Sequence, residues 1–184
     1  MQKIESSELL RDVYNGATFI DGTIVKMLKS ESGPHEPAWV FQYSIACNAP
    51  RQFAWSHWTN VANWNDPPAS FHLDGPFDIG GRLTTSLPSQ TLHSVIREVV
   101  NGSRSDEAII DMQLTGAILS FQWKFESLSE ERTRITQRLI LSGSNAEAFV
   151  AEASMLEKST PEGMEKLVAV IERSMKSQKP LANS

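Results

Sequence analysis

The chain has a single cysteine, Cys47, in 184 residues. One thiol cannot close an internal disulfide, so no oxidising compartment is indicated. Cys47 ends an apolar alternation and is expected to be a small buried residue rather than a nucleophile. Positive charge is also scarce: 17 Lys and Arg stand against 22 Asp and Glu, a net charge of −5. Phosphate-backbone binding needs clustered Lys and Arg, so no nucleic-acid partner is expected. The longest basic stretch, Lys176 to Lys179, reads as a solvated terminus. No window approaches the ~20 apolar residues of a spanning helix. The first residues lack an apolar run behind a basic start, so no signal peptide is expected and cytoplasmic residence is the default. Metal-ligand spacing is missing: there is no Cys pair, no His-x-x-x-His and no His-Glu-x-x-His. A Gly-rich phosphate loop and a Gly-x-Ser-x-Gly elbow are missing too, and Gly80-Gly81 reads as a turn between strands. The sequence therefore asks for no metal and no cofactor.

The remaining composition is ordinary, with 40% apolar and 21% charged residues. One domain with a real core fits this length. Residues 1–37 read as an N-terminal extension, ending in a loop rich in Ser, Gly and Pro. The body runs over 38–178, and 179–184 read as a flexible tail.

Period-two alternation opens the body. Trp39, Phe41, Tyr43 and Ile45 share one face of a strand, with Val40, Gln42, Ser44 and Ala46 on the other. Asn48-Ala49-Pro50 suits a helix start, with Asn as the cap. A short helix over Arg51 to His57 follows, then a second one capped by Thr59 and running through Trp64. Strands are expected over Ser70–Leu73, Arg82–Leu87, Leu92–Val100 and Glu107–Leu114, the last pair joined by the hairpin signal Asn101-Gly102. Ile118–Glu126 alternates cleanly, with Leu119, Phe121, Trp123 and Phe125 on one face. Thr133–Leu141 does the same, with Ile135, Gln137, Leu139 and Leu141 together. Helical spacing returns over Asn145–Lys158. Ser159-Thr160-Pro161-Glu162 then fits a capping box, and Met164, Leu167, Val168, Ile171 and Met175 form an amphipathic stripe. The C-terminus is thus one long helix broken near Thr160, or two consecutive helices.

This order of elements resembles the SRPBCC superfamily, also called START-like or Bet v 1-like, and within it the polyketide cyclase/dehydrase and lipid-transport group. The resemblance rests on Asn48-Ala49-Pro50-Arg51-Gln52-Phe53-Ala54-Trp55, on Leu73-Asp74-Gly75-Pro76-Phe77 with Gly80, on Thr133-Arg134-Ile135-Thr136, and on the Glu162–Arg173 helix. It covers about residues 38 to 176. It implies an α+β helix-grip fold: a curved antiparallel seven-stranded sheet, two short helices, and a long C-terminal helix over an apolar cavity. These motifs are structural rather than chemical, and fold does not settle function.

With that architecture the inward residues are candidates to touch a hydrophobic small molecule. They are Phe41, Tyr43, Met112, Phe121, Trp123 and Gln137 on the sheet, and Met164, Val168 and Ile171 on the terminal helix. Trp55, Trp58 and Trp64 on the short helices would close one end. Tyr43 and Gln137 break the apolar pattern. A buried phenol or amide without a partner costs about 1–3 kcal/mol, so they bond to each other, to backbone, or to a ligand. His57 and His72 titrate near neutral pH and could move protons. His93 and Arg97 share a strand whose two faces are nearly equally apolar, so alternation does not orient them. Inside a cavity Arg97 would need an anionic partner; outside it would be solvated. Three readings follow: a binder of a hydrophobic or aromatic small molecule, lipid- or polyketide-like; a cyclase/dehydratase-like enzyme using Tyr43, His57 or Arg97; or an interaction module resembling the activators of a chaperone ATPase. Nothing in the sequence specifies an oligomeric state.

Overall fold

A computed structural model describes residues 36–64 and 66–178. The expected extension over 1–37 lies outside the described residues except for Glu36 and Pro37, as does the expected tail over 179–184.

The alternating segments form seven strands: β1 (Trp39–Cys47), β2 (Ser70–Asp74), β3 (Arg82–Leu87), β4 (Gln90–Asn101), β5 (Ser105–Leu114), β6 (Ala117–Ser129) and β7 (Arg132–Ser142). They build one antiparallel sheet in the order β1-β7-β6-β5-β4-β3-β2. Successive strands from β2 to β7 are neighbours, and one crossover brings β1 beside β7. Side chains alternate between faces, so the register lays inward residues in rows. Tyr43, Gln137, Trp123 and Ala108 stand abreast on β1, β7, β6 and β5. Phe41, Leu139, Phe121 and Ile110 form the next row.

β4 departs from simple alternation. Its pairing with β5 slips between Ile96 and Glu98, leaving Arg97 as a bulge. A one-residue bulge reverses the parity of everything beyond it. Ile96 therefore faces inward before the bulge, and Val99 packs on the core after it. This is why both faces of the segment look apolar in sequence. His93 and Val95 lie on the outer side, where His93 Nδ1 approaches Thr84 Oγ1 at 3.5 Å. Arg97 also points outward. Its Nε donates to Asp111 Oδ2 at 2.6 Å, and Ser120 Oγ donates to the other carboxylate oxygen at 2.6 Å. Arg97 is thus ion-paired on the convex side, away from the inner face of the sheet.

α1 (Arg51–Thr59) follows β1. Asn48 does not cap it: the cap position is Pro50, with no side-chain bond. The Asn48 backbone N–H and Nδ2 instead both donate to Glu172 Oε1, at 2.7 and 2.9 Å. Arg51 fastens α1 to the β4–β5 hairpin through the Gly102 carbonyl at 2.8 Å and the Asp106 carboxylate at 3.3 Å. The expected second helix is only a 3-10 turn, Val61–Asn63, capped by the Asn60 side chain rather than Thr59. The Thr59 hydroxyl donates backwards to the Trp55 carbonyl at 3.0 Å.

After β7 come a 3-10 turn (Ala146–Phe149), one turn of helix α2 (Val150–Ala153), and the long α3 (Leu156–Gln178). The break expected near Thr160 is absent. It falls at Ser154-Met155, and α3 runs straight through Pro161. An interior proline costs about 3 kcal/mol. Against that, Leu156, Thr160, Met164, Val168 and Ile171 form an unbroken buried stripe at helical spacing, and each large apolar member contributes about 1.5–3 kcal/mol. The stripe wins. Cys47 is fully buried at the end of β1, and burial, with the nearby Glu172 carboxylate, pushes its thiol up to about 12. No helix among the described residues is long and apolar enough to cross a membrane.

Candidate functional site

α3 docks over β1, at one edge of the sheet. The opposite half of the inner face is left uncovered by the helix axis, and there lies a cavity of about 500 Å³, partly open to solvent. Its floor comes from the middle strands: Leu83 and Thr85 on β3, Leu92 and Ser94 on β4, Ile110 and Met112 on β5, Phe121 and Trp123 on β6, and Gln137 on β7. Phe71 on β2 closes the far edge.

One end is built from aromatic rings. Trp58 on α1 is nearly fully buried and stacks within 5.0 Å of Trp123, 5.1 Å of Phe77 and 5.3 Å of Phe125, measured between ring centroids. Trp64 lies 5.9 Å from Trp58 and donates its indole N–H to the Trp58 carbonyl at 2.6 Å. Tryptophan pairs at these separations add about 0.5–1.5 kcal/mol beyond their burial, so this wall is stiff. Trp55 belongs to the same stack, edge-on to Phe125 at 5.4 Å, but stands behind the wall rather than in it.

The other side is the flank of α3: Gly163, Lys166, Leu167, Val170 and Arg173. This flank lies about 100° around the helix from the buried stripe. Met164, Val168 and Ile171 are therefore spent on packing in the core and do not reach the cavity. Phe41 and Tyr43 stand in the β1 region covered by α3 and are likewise outside the wall. Of the twelve residues expected to meet a ligand, Trp58, Trp64, Met112, Phe121, Trp123 and Gln137 come together around the cavity. The α3 flank was missed, because Lys166 and Arg173 carry no apolar signal. Leu167 and Val170 widen the helix stripe beyond what packing needs, and that width was the available clue.

Gln137 is the polar exception in the floor. It is only 1% exposed, and its Oε1 has no hydrogen-bond partner among the described residues. Tyr43 stands directly opposite in register, but no hydrogen bond joins the two. His57 enters the wall from α1. Its Nε2 is 3.0 Å from Ser174 Oγ on α3, and its buried Nδ1 has no partner among the described residues. Burial pushes the imidazole below its ordinary range and favours the neutral ring. His72 is exposed on β2, away from the cavity.

No family model matches the chain, and no curated protein does. Solved structures do. Norcoclaurine synthase from Thalictrum flavum superposes with a TM-score of 0.56 at 11% identity, over 82% of this chain and 98% of that one. Ara h 8.0201 gives 0.53 at 14% identity, over 76% and 99%. Protein Ms6760 from Mycobacterium smegmatis gives 0.51 at 18% identity, over 75% and 91%. At these identities the likeness carries the fold alone, and the fold is the Bet v 1-like helix grip.

Proposed function

We propose that this protein binds a hydrophobic or aromatic small molecule, lipid- or polyketide-like, in the cavity between the sheet and the flank of α3. Trp58, Trp64, Met112, Phe121 and Trp123 supply the apolar contact, and Gln137 supplies orientation. The observation that carries this reading is the Gln137 amide, buried in an apolar wall with its oxygen unpaired among the described residues. Such a group is costly in an empty protein and useful in a filled one. Support also comes from the size of the cavity, which falls in the range of small-molecule sites. The test is native mass spectrometry of freshly purified protein, with fluorescence titration of the wall tryptophans by apolar aromatic compounds. A co-purifying mass or saturable quenching is expected. Unchanged Trp emission across a panel of such compounds, with no retained mass, would overturn the reading.

A cyclase/dehydratase-like reaction is the second reading, favoured by one observation. His57 reaches the wall, burial favours its neutral ring, Nε2 meets Ser174 Oγ, and the other ring nitrogen, Nδ1, has no partner among the described residues and could take a proton. The norcoclaurine synthase likeness includes a complex of that enzyme with dopamine and hydroxybenzaldehyde. In this reading H57Q removes turnover while leaving binding intact. The size of the cavity disfavours an interaction module.

A further inference from the structure

We infer that the occupant is an acid: an apolar or aromatic body with a carboxylate, the body in the cavity and the carboxylate held between Lys166 and Arg173 at its mouth. This rests on the binding reading above and names the ligand class. Three observations carry it.

The first is charge placement. The chain is acidic overall, and α3 carries Glu157, Glu162, Glu165 and Glu172. None of these lines the cavity, whereas both charged residues that α3 gives to the wall are cations. Asp66 is the one carboxylate in the wall among the described residues, and it lies on the loop before β2 rather than on α3.

The second is the lack of partners. Glu162 sits four residues before Lys166, the favourable order for a helical ion pair. No such pair forms, and among the described residues neither Lys166 nor Arg173 has a salt bridge or a side-chain hydrogen bond. Among the described residues, then, no carboxylate takes either head, and each can meet an anion.

The third is the residue between them. Lys166, Val170 and Arg173 lie on one stripe, the two cations about 10.5 Å apart along the axis. Val170 is 40% exposed although it borders the cavity. Long Lys and Arg arms can lay their stems beside apolar surface and bring their heads together above it. An acid's first carbons would cover Val170 while its oxygens reach the two heads. Deeper in, the Gln137 amide would accept from or donate to a hydroxyl or carbonyl on the body. Guanidinium and ammonium groups bind carboxylate through charge-assisted hydrogen bonds, which exceed neutral ones about twofold.

The experiment is a titration of the full chain with decanoate and with decanol, read by tryptophan emission. It is run at about 20 mM and about 300 mM NaCl, since screening weakens exposed charge pairs. Decanoate is expected to bind about tenfold tighter than decanol at low salt, the factor of one charge-assisted contact. The preference should shrink at high salt. The double variant K166Q/R173Q should lose about tenfold more affinity for decanoate than for decanol, and with it the preference for the acid. Equal affinity for acid and alcohol in the unaltered protein would overturn the inference and leave the cavity reading standing. So would a preference that survives in the double variant. If neither compound binds, both fall together.

Discussion

Replacing Gln137 by leucine removes the amide while nearly keeping the volume of the side chain. In the ligand-free protein the change should stabilise. The amide is 1% exposed and its oxygen has no partner among the described residues, and leaving such a group unsatisfied costs about 1–3 kcal/mol. Leucine also adds apolar area where Leu139, Trp123 and Ile135 already surround the position along and across the sheet. Some of the gain is lost to imperfect fit of the branched side chain, which commonly costs up to about 1.5 kcal/mol. A net gain of about 1 kcal/mol remains, which raises Tm by about 2–4 °C in a chain of this size. The same change should weaken binding of a hydroxylated apolar ligand several-fold, because a hydrogen bond to the amide contributes about 0.5–1.5 kcal/mol. Urea unfolding of protein stripped of small molecules gives the first quantity, provided m is unchanged. Tryptophan titration gives the second. A stability loss of about 1 kcal/mol or more in stripped protein would refute the reasoning. It would mean that the native structure itself satisfies the amide, so its polarity serves the fold and not an occupant.

Three further outcomes follow from the same geometry. Thr160→Val removes a fully buried hydroxyl that has no partner among the described residues, but outside the cavity wall, so it should gain about 1 kcal/mol and leave ligand affinity unchanged; a shift in affinity would contradict its placement. R97Q should cost about 1–2 kcal/mol by stripping Asp111 of its ion pair with no effect on binding, and weakened binding would mean that Arg97 reaches the cavity after all. Burial lowers the native pKa of His57, so between that value and the unfolded value near 6.5 the unfolded chain binds more protons and stability falls with falling pH. Melts at descending pH should show this slope in the natural protein and a flatter one in H57Q; identical slopes would remove His57 as its source.

Most of the sheet was legible because alternation is a property of the strand itself. The rows through Phe121 and Trp123 follow from period two and need no knowledge of the partner strands. The Arg97 bulge was not legible, since it depends on pairing between β4 and β5, and its trace in sequence is only that both faces look apolar. On α3 the periodicity marked Met164, Val168 and Ile171 as buried, correctly. It could not say whether they were buried against protein or against open space. That distinction depends on where the helix lands across the sheet, a tertiary choice fixed by docking over β1. The break at Ser154-Met155 was hidden for a similar reason: local rules favour a cap at Thr160, and the continuous packed stripe overrides them.

The extra residue in β4 divides that strand between two duties. Before Arg97 the strand furnishes Leu92 and Ser94 to the cavity floor, and after it Val99 to the solid interior. Removing that one residue would set Ile96 and Glu98 in ordinary succession opposite Ile110 and Ile109, keeping Leu92, Ser94 and Val99 inward while losing the Arg97–Asp111 ion pair. Loss of the extra residue therefore leaves inside and outside as they are, whereas one further residue at the same place would turn half the strand over. In descendants of this chain the spacing between Ser94 and Val99 should be kept or shortened by that one residue, the two lengths that leave both side chains inward.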